Sequence, residues 1–175
     1  ARPDVSVRAT ADGKVVFDAP ACDEPRERIA QLLGRELAED LIAVPISRRD
    51  GVSVRGYTTS CDRSRGDSRQ QYFFLNGRVI RDVTLLMAVK QAYANLLPPR
   101  RHPSTLLWLE IDPQDVDVNV HPQKSEVRFR RDREVFRQVL EAVRAAIQAG
   151  GLVPSLPLPR HAGATFGGPA SSFVA

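Results

Sequence analysis

A mixed β-sheet with helices packed on one side, an α+β fold, is what this 175-residue sequence predicts, and three observations carry the prediction. Tight-turn dipeptides join short extended runs, Asp12-Gly13 and Asn76-Gly77 most clearly. Two stretches, 83–96 and 134–148, repeat apolar residues at helical spacing. Thr105 to Ile111 is apolar on both faces, as a central strand is. Hairpins followed by a strand, helix, strand, helix order give a sandwich of one sheet against helices.

In chain order, Val5 to Ala9 and Val15 to Ala19 read as strands joined at Asp12-Gly13. Pro25 to Leu33 puts Ile29, Leu32 and Leu33 on one helical face, and Gly34 stops it. Leu41 to Ile46 and Val52 to Thr59 are strands around the turn Arg48-Arg49-Asp50-Gly51, and Ser60 to Arg69 is a polar, basic loop. Gln71 to Leu75 is an aromatic-rich strand that Asn76-Gly77 turns into Arg78-Val79-Ile80. A helix follows through Leu85, Val89, Ala92 and Leu96 until Pro98-Pro99. Asp115 to Val120 alternates, with Val116, Val118 and Val120 on one face. Val127 and Phe129 mark a short strand, and Glu134 to Gln148 is an amphipathic helix through Phe136, Val139, Val143 and Ile147. Residues 1–149 form one domain, and 150–175, rich in Gly, Pro, Ala and Ser, begin a flexible linker.

Composition narrows the class. Hydrophobic residues make up 42% and charged residues 26%, ordinary values that exclude collagen-like, coiled-coil and wholly disordered chains. No apolar run approaches the roughly 20 residues of a spanning helix, so no membrane partner is expected. Cys22 and Cys61 are too few for a disulfide framework or a four-ligand zinc site. Two free thiols suit a reducing compartment, so a cytoplasmic protein is expected. The chain opens Ala1-Arg2-Pro3-Asp4 without a methionine and reads as a fragment.

The net charge of +4 is unevenly spread. Between Ser60 and Arg101 stand eight basic residues, Arg63, Arg65, Arg69, Arg78, Arg81, Lys90, Arg100 and Arg101, against Asp62, Asp67 and Asp82. A basic excess in one third of the chain has the form of a phosphate-backbone contact surface, because Lys and Arg displace counterions from nucleic acid. The sequence holds three lysines: Lys14, Lys90 and Lys124. Lys124 follows a strand halted by Pro122, which places a flexible ammonium on a loop.

That loop belongs to the most informative segment, Asp115-Val116-Asp117-Val118-Asn119-Val120-His121-Pro122, with Lys124 and Glu126-Val127-Arg128-Phe129. It resembles the signature of the MutL family of DNA mismatch repair proteins. Gln71-Tyr72-Phe73-Phe74-Leu75-Asn76-Gly77-Arg78, continued through Arg81-Asp82 to Gln91-Ala92-Tyr93, resembles the same family's preceding hairpin and helix. The matches run in order over residues 71–140. The resemblance implies the transducer domain that follows a GHKL-type ATPase domain, a fold shared with type II topoisomerases and a ribosomal protein and containing a left-handed βαβ crossover. It implies ATP and Mg²⁺ as cofactors of the full-length protein, with Lys124 reaching the γ-phosphate. Asn119, His121 and Pro122 then shape the loop. The family's catalytic Asn, Glu base and glycine-rich lid do not occur in these 175 residues, so this chain alone is expected not to hydrolyse ATP.

As partners the resemblance implies duplex DNA, the mismatch-recognition protein MutS and a second copy of the full-length protein. Val83 stands where the family often has a basic residue implicated in DNA contact, which leaves Arg63, Arg65, Arg69, Arg78 and Arg81 as the expected contacts. Gln123 replaces a usual small Ala and keeps the lysine's spacing. A topoisomerase transducer would carry Gln-Thr-Lys where this chain reads Pro122-Gln123-Lys124. A ribosomal or RNA-binding βαβ module would need Tyr72, Phe73 and Phe74 exposed as a stacking platform, whereas their strand setting predicts core packing.

Overall fold

The computed structural model describes residues 2–117 and 127–150. Three two-residue turns set its hairpins. Asp12-Gly13, Asp50-Gly51 and Asn76-Gly77 all have positive φ at both positions, from 48° to 83°, the type I′ geometry whose twist matches that of the flanking strands. They join β1 (Val7–Ala11) to β2 (Lys14–Ala19), β3 (Leu41–Arg49) to β4 (Val52–Thr59), and β5 (Gln71–Leu75) to β6 (Arg78–Ile80). The first pair stands as a two-stranded sheet, and the other four strands join β7 (Thr105–Ile111) in the order β3-β4-β7-β5-β6. β7 is central, as its two apolar faces require. It pairs antiparallel with β4 and parallel with β5, so the sheet is mixed. A parallel pair needs a crossover, and here β6 and α3 (Val83–Ala92) lie within it.

The main core lies between this sheet and two helices, α3 and α4 (Asp132–Ala149). Val54, Phe73, Leu107 and Leu109 from the strands meet Leu85 and Val89 of α3 and Val139, Val143 and Ile147 of α4, all fully buried. These two helices share one side, as expected. The short helices α1 (Pro25–Leu33) and α2 (Arg35–Glu39) do not join them: Ile29 and Ala38 form a second cluster with Leu41 and Leu106, edged by Tyr57, Tyr72 and Trp108. Alternation along β7 separates the layers, Leu106 and Trp108 facing one and Leu107 and Leu109 the other. Gly34, at φ 99°, breaks the helical path between α1 and α2.

Three elements differ from the sequence expectation, one of them α2, which has no counterpart in it. α3 ends at Ala92 and not near Leu96, with Tyr93 at its C-cap and Asn95 in the left-handed region at φ 67°. The alternating run from Asp115 begins as a 3₁₀ turn, Pro113–Asp115, because the Asp112 carboxylate accepts from the Gln114 N–H and Pro113 suits a first helical turn. Only Val116–Asp117, β8, is then strand, paired with β9, Arg128–Phe129. Residues 118–120 lie outside the described residues. Gly56 of β4 faces Leu107, and a Cβ there would run into the Leu106 carbonyl, so the β4–β7 seam requires glycine. Among the described residues no helix is long and apolar enough to cross a membrane.

Candidate functional site

The five arginines expected to meet DNA do not form one surface. Arg63 is drawn toward α2, where its guanidinium pairs with Asp40 at 3.2 Å and Glu36 at 3.6 Å. Arg69 and Arg81 come together across a shallow cleft that Gln71 and Phe73 also line. Arg65 stands at the end of the sheet where β5 and β7 begin, its backbone exchanging two 2.8 Å hydrogen bonds with His102. Arg78 follows the Asn76-Gly77 turn at the opposite end. Arg65, Arg69, Arg78 and Arg81 make no ion pair with any described residue. Val83 is 73% exposed in the first turn of α3. Its neighbour Asp82 caps that helix by accepting from the Leu85 N–H at 3.0 Å. Burial pushes the Asp82 carboxyl up, opposed by its bonds to the Leu85 and Thr84 backbone.

A second cleft adjoins the first at Gln71, and it holds Lys90, Arg100, Arg101 and His102. The basic excess between Ser60 and Arg101 includes Lys90, Arg100 and Arg101, but their spacing in the chain does not show that they line one cleft with His102. Arg101 donates to the Ser64 hydroxyl at 3.2 Å and to the Ser64 carbonyl, tying the two loops together.

Buried hydrogen bonds hold that end of the sheet. The Tyr93 hydroxyl donates to the Thr59 carbonyl at 2.6 Å and lies 2.7 Å from Thr58 Oγ1. Thr59 Oγ1 accepts from the Ser104 N–H at 3.0 Å, and Ser104 Oγ donates to Gln70 Oε1 at 2.7 Å. Burial holds the Tyr93 phenol far above its ordinary pKa, so the hydroxyl stays a neutral donor. The nearby Cys61 thiol is pushed up by burial and by Asp62, which keeps it protonated and a poor nucleophile.

Lys124, with Asn119, His121 and Pro122, lies outside the described residues. The strands that bracket its segment are described: Val116 pairs with Phe129 and Asp117 with Arg128. Arg131 pairs with Asp115 at 2.6 Å, and the Arg130 N–H donates to the Asp115 carbonyl at 2.9 Å. This base follows the C-terminal end of β7, where the Asn76 side chain bonds both the N–H and the C=O of Ile111. The basic loops lie at the other end of β7, about 20 Å away at strand rise.

Comparison with known proteins agrees with this architecture. The family described as "DNA mismatch repair protein, C-terminal domain" matches residues 29–148, which takes in all five strands of the main sheet. The DNA mismatch repair protein MutL of Symbiobacterium thermophilum is 42% identical over 154 residues, covering 88% of this chain and 24% of that protein. MutL of Anaeromyxobacter sp. (strain K) is 42% identical over 159 residues, covering 91% and 26%. The chain thus spans about a quarter of the length of the curated relatives it matches. The crystal structure of the N-terminal domain of a DNA repair protein superposes with a TM-score of 0.63 at 20% identity, over 85% of this chain and 49% of that one, and shows the same fold. With its main sheet, α3 and all but the last residue of α4 inside the matched region, the chain belongs to the MutL family of DNA mismatch repair proteins.

Proposed function

We propose that residues 1–149 act as the transducer domain of a MutL-type mismatch repair protein, with 150–175 beginning a linker, and that the domain couples a nucleotide site to DNA. In the longer protein a GHKL-type ATPase domain would bind ATP and Mg²⁺, and this chain would supply Lys124 to the γ-phosphate. This chain's contribution to the nucleotide would be a cation. A charge that meets only the terminal phosphate separates ATP from ADP, and that differential affinity biases domain closure and dimerisation. The chain alone would not hydrolyse ATP. Arg65, Arg69, Arg78 and Arg81 contribute to duplex DNA binding, and Arg63, already ion-paired, contributes least. MutS and a second copy are the protein partners, and the compartment is the cytoplasm.

The observation that carries this reading is the Asp115-to-Pro122 signature with Lys124, in a chain 42% identical to a MutL protein. The β8–β9 pairing supports it by bringing the ends of the lysine's segment together. The test is Lys124→Ala in the full-length protein, with affinities measured for ADP and for a non-hydrolysable ATP analogue. The reading expects weaker analogue binding and unchanged ADP binding. An equal loss for both would show that Lys124 is no γ-phosphate sensor.

A further inference from the structure

We propose that the 64–70 and 94–104 loops, together with Lys90 of α3, form a seat for the phosphate backbone of duplex DNA, with Lys90 and Arg100 touching the phosphates directly. The inference rests on the DNA reading above and adds a surface to it. Lys90, Arg100, Arg101 and His102 line one open cleft of about 690 Å³. Lys90 and Arg100 are exposed and have no ion-pair partner among the described residues. The loops are prearranged: Arg65 and His102 join their backbones, Arg101 grips Ser64, and the Ser104–Gln70 bond closes the base. A phosphate would meet cations on loops whose ordering is already complete.

Arg100 supplies an independent argument. The Arg101 N–H donates to the Pro98 carbonyl at 3.2 Å, closing a turn with Pro99 second and Arg100 third. Arg100 has φ 63°, the left-handed position that a type II turn reserves for Gly or Asn. An arginine there is strained backbone, and strain of this kind collects at functional positions.

The cleft also selects the nucleic acid. Tyr93 borders it but is 2% exposed, with its hydroxyl engaged by Thr58 and Thr59. Among the described residues, no tyrosine, phenylalanine or tryptophan face is presented there on which an unpaired base could stack, and His102 supplies a smaller, half-buried ring. Single strands gain much of their affinity from such stacking, whereas duplex backbone needs only cations.

Titrations of the purified chain with a labelled duplex and an equally long single strand, at several salt concentrations, test the proposal. Lys90→Gln with Arg100→Gly should lower the duplex salt slope by about 0.9 for each phosphate that is no longer neutralised. Arg100→Gly alone should bind duplex more weakly yet melt at or above the parent temperature, and Arg100→Lys should retain most of the affinity. Arg78→Gln with Arg81→Gln, both outside the seat, runs in parallel. If only that second pair changes the slope, the seat is wrong and the DNA reading stands; if neither pair does, both fall. Single strand bound as tightly as duplex, or Arg100→Gly melting lower, would overturn the selectivity and the strain arguments respectively.

Discussion

The two faces of the central sheet are built from alternate residues of the same strands, yet they carry unequal loads. Toward α3 and α4, Phe73, Leu107 and Leu109 are fully buried in one continuous core. On the opposite face α1 and α2 cover one end, and beyond them lies an apolar groove of about 380 Å³ lined by Leu32, Phe74, Val79 and Trp108. Val79 is 60% exposed. There, Phe74 stacks on Trp108 at 5.0 Å between ring centres, and Arg55 lies over the indole at 5.9 Å. The closed face makes the sheet a single structure, and the half-open face adds ring packing at the margin.

Substitutions can break that contrast. Leu107→Ala, which empties the closed core, should cost about 2 to 5 kcal/mol in denaturant unfolding; a cost no larger than that of an open-face change would refute the asymmetry. Tyr93→Phe, on the closed side, should cost about 1 to 2 kcal/mol, because it orphans the Thr59 carbonyl. It also has a pH signature. Burial raises the folded phenol's pKa, so its ionisation does not affect stability below the unfolded value of about 10. Above that pH the unfolded chain loses the proton first, and stability falls as pH rises. Melting curves from pH 8 to 11 should therefore show Tyr93→Phe losing less than the parent. Trp108→Ala, on the open face, should cost about 1 to 2 kcal/mol, since its rings are stacked but not sealed. Val79→Ser should stay within about 0.5 kcal/mol by the same measurement, and a larger loss would mean that the groove is more closed than its exposure indicates.

Local chemistry was legible in the chain and long-range chemistry was not. The three turns read from Asp12-Gly13, Asp50-Gly51 and Asn76-Gly77 adopt the left-handed pairs those residues favour. β7 was readable as central because a strand apolar on both faces has one kind of place in a sheet. The opposite side taken by α1 and α2 was hidden, since Ile29 and Ala38 show an apolar face without saying which layer it meets. In the candidate site, Lys124 stood out through the signature around it, whereas Lys90 and Arg100 were legible only as members of the basic excess, with nothing in the chain to show that they line one cleft. Arg63 looked equivalent to Arg65 until α2 brought Glu36 and Asp40 beside it.

By itself, then, the sequence determined the turns, most of the strand and helix types, the central strand and the family signature, because each depends on residues near one another in the chain. The tertiary structure alone decided which face each helix covers, which arginines remain unpaired and that two basic loops meet at one end of β7. Those outcomes depend on residues such as Ser64 and Arg101, or Thr58 and Tyr93, whose hydrogen bonds form only after distant segments pack.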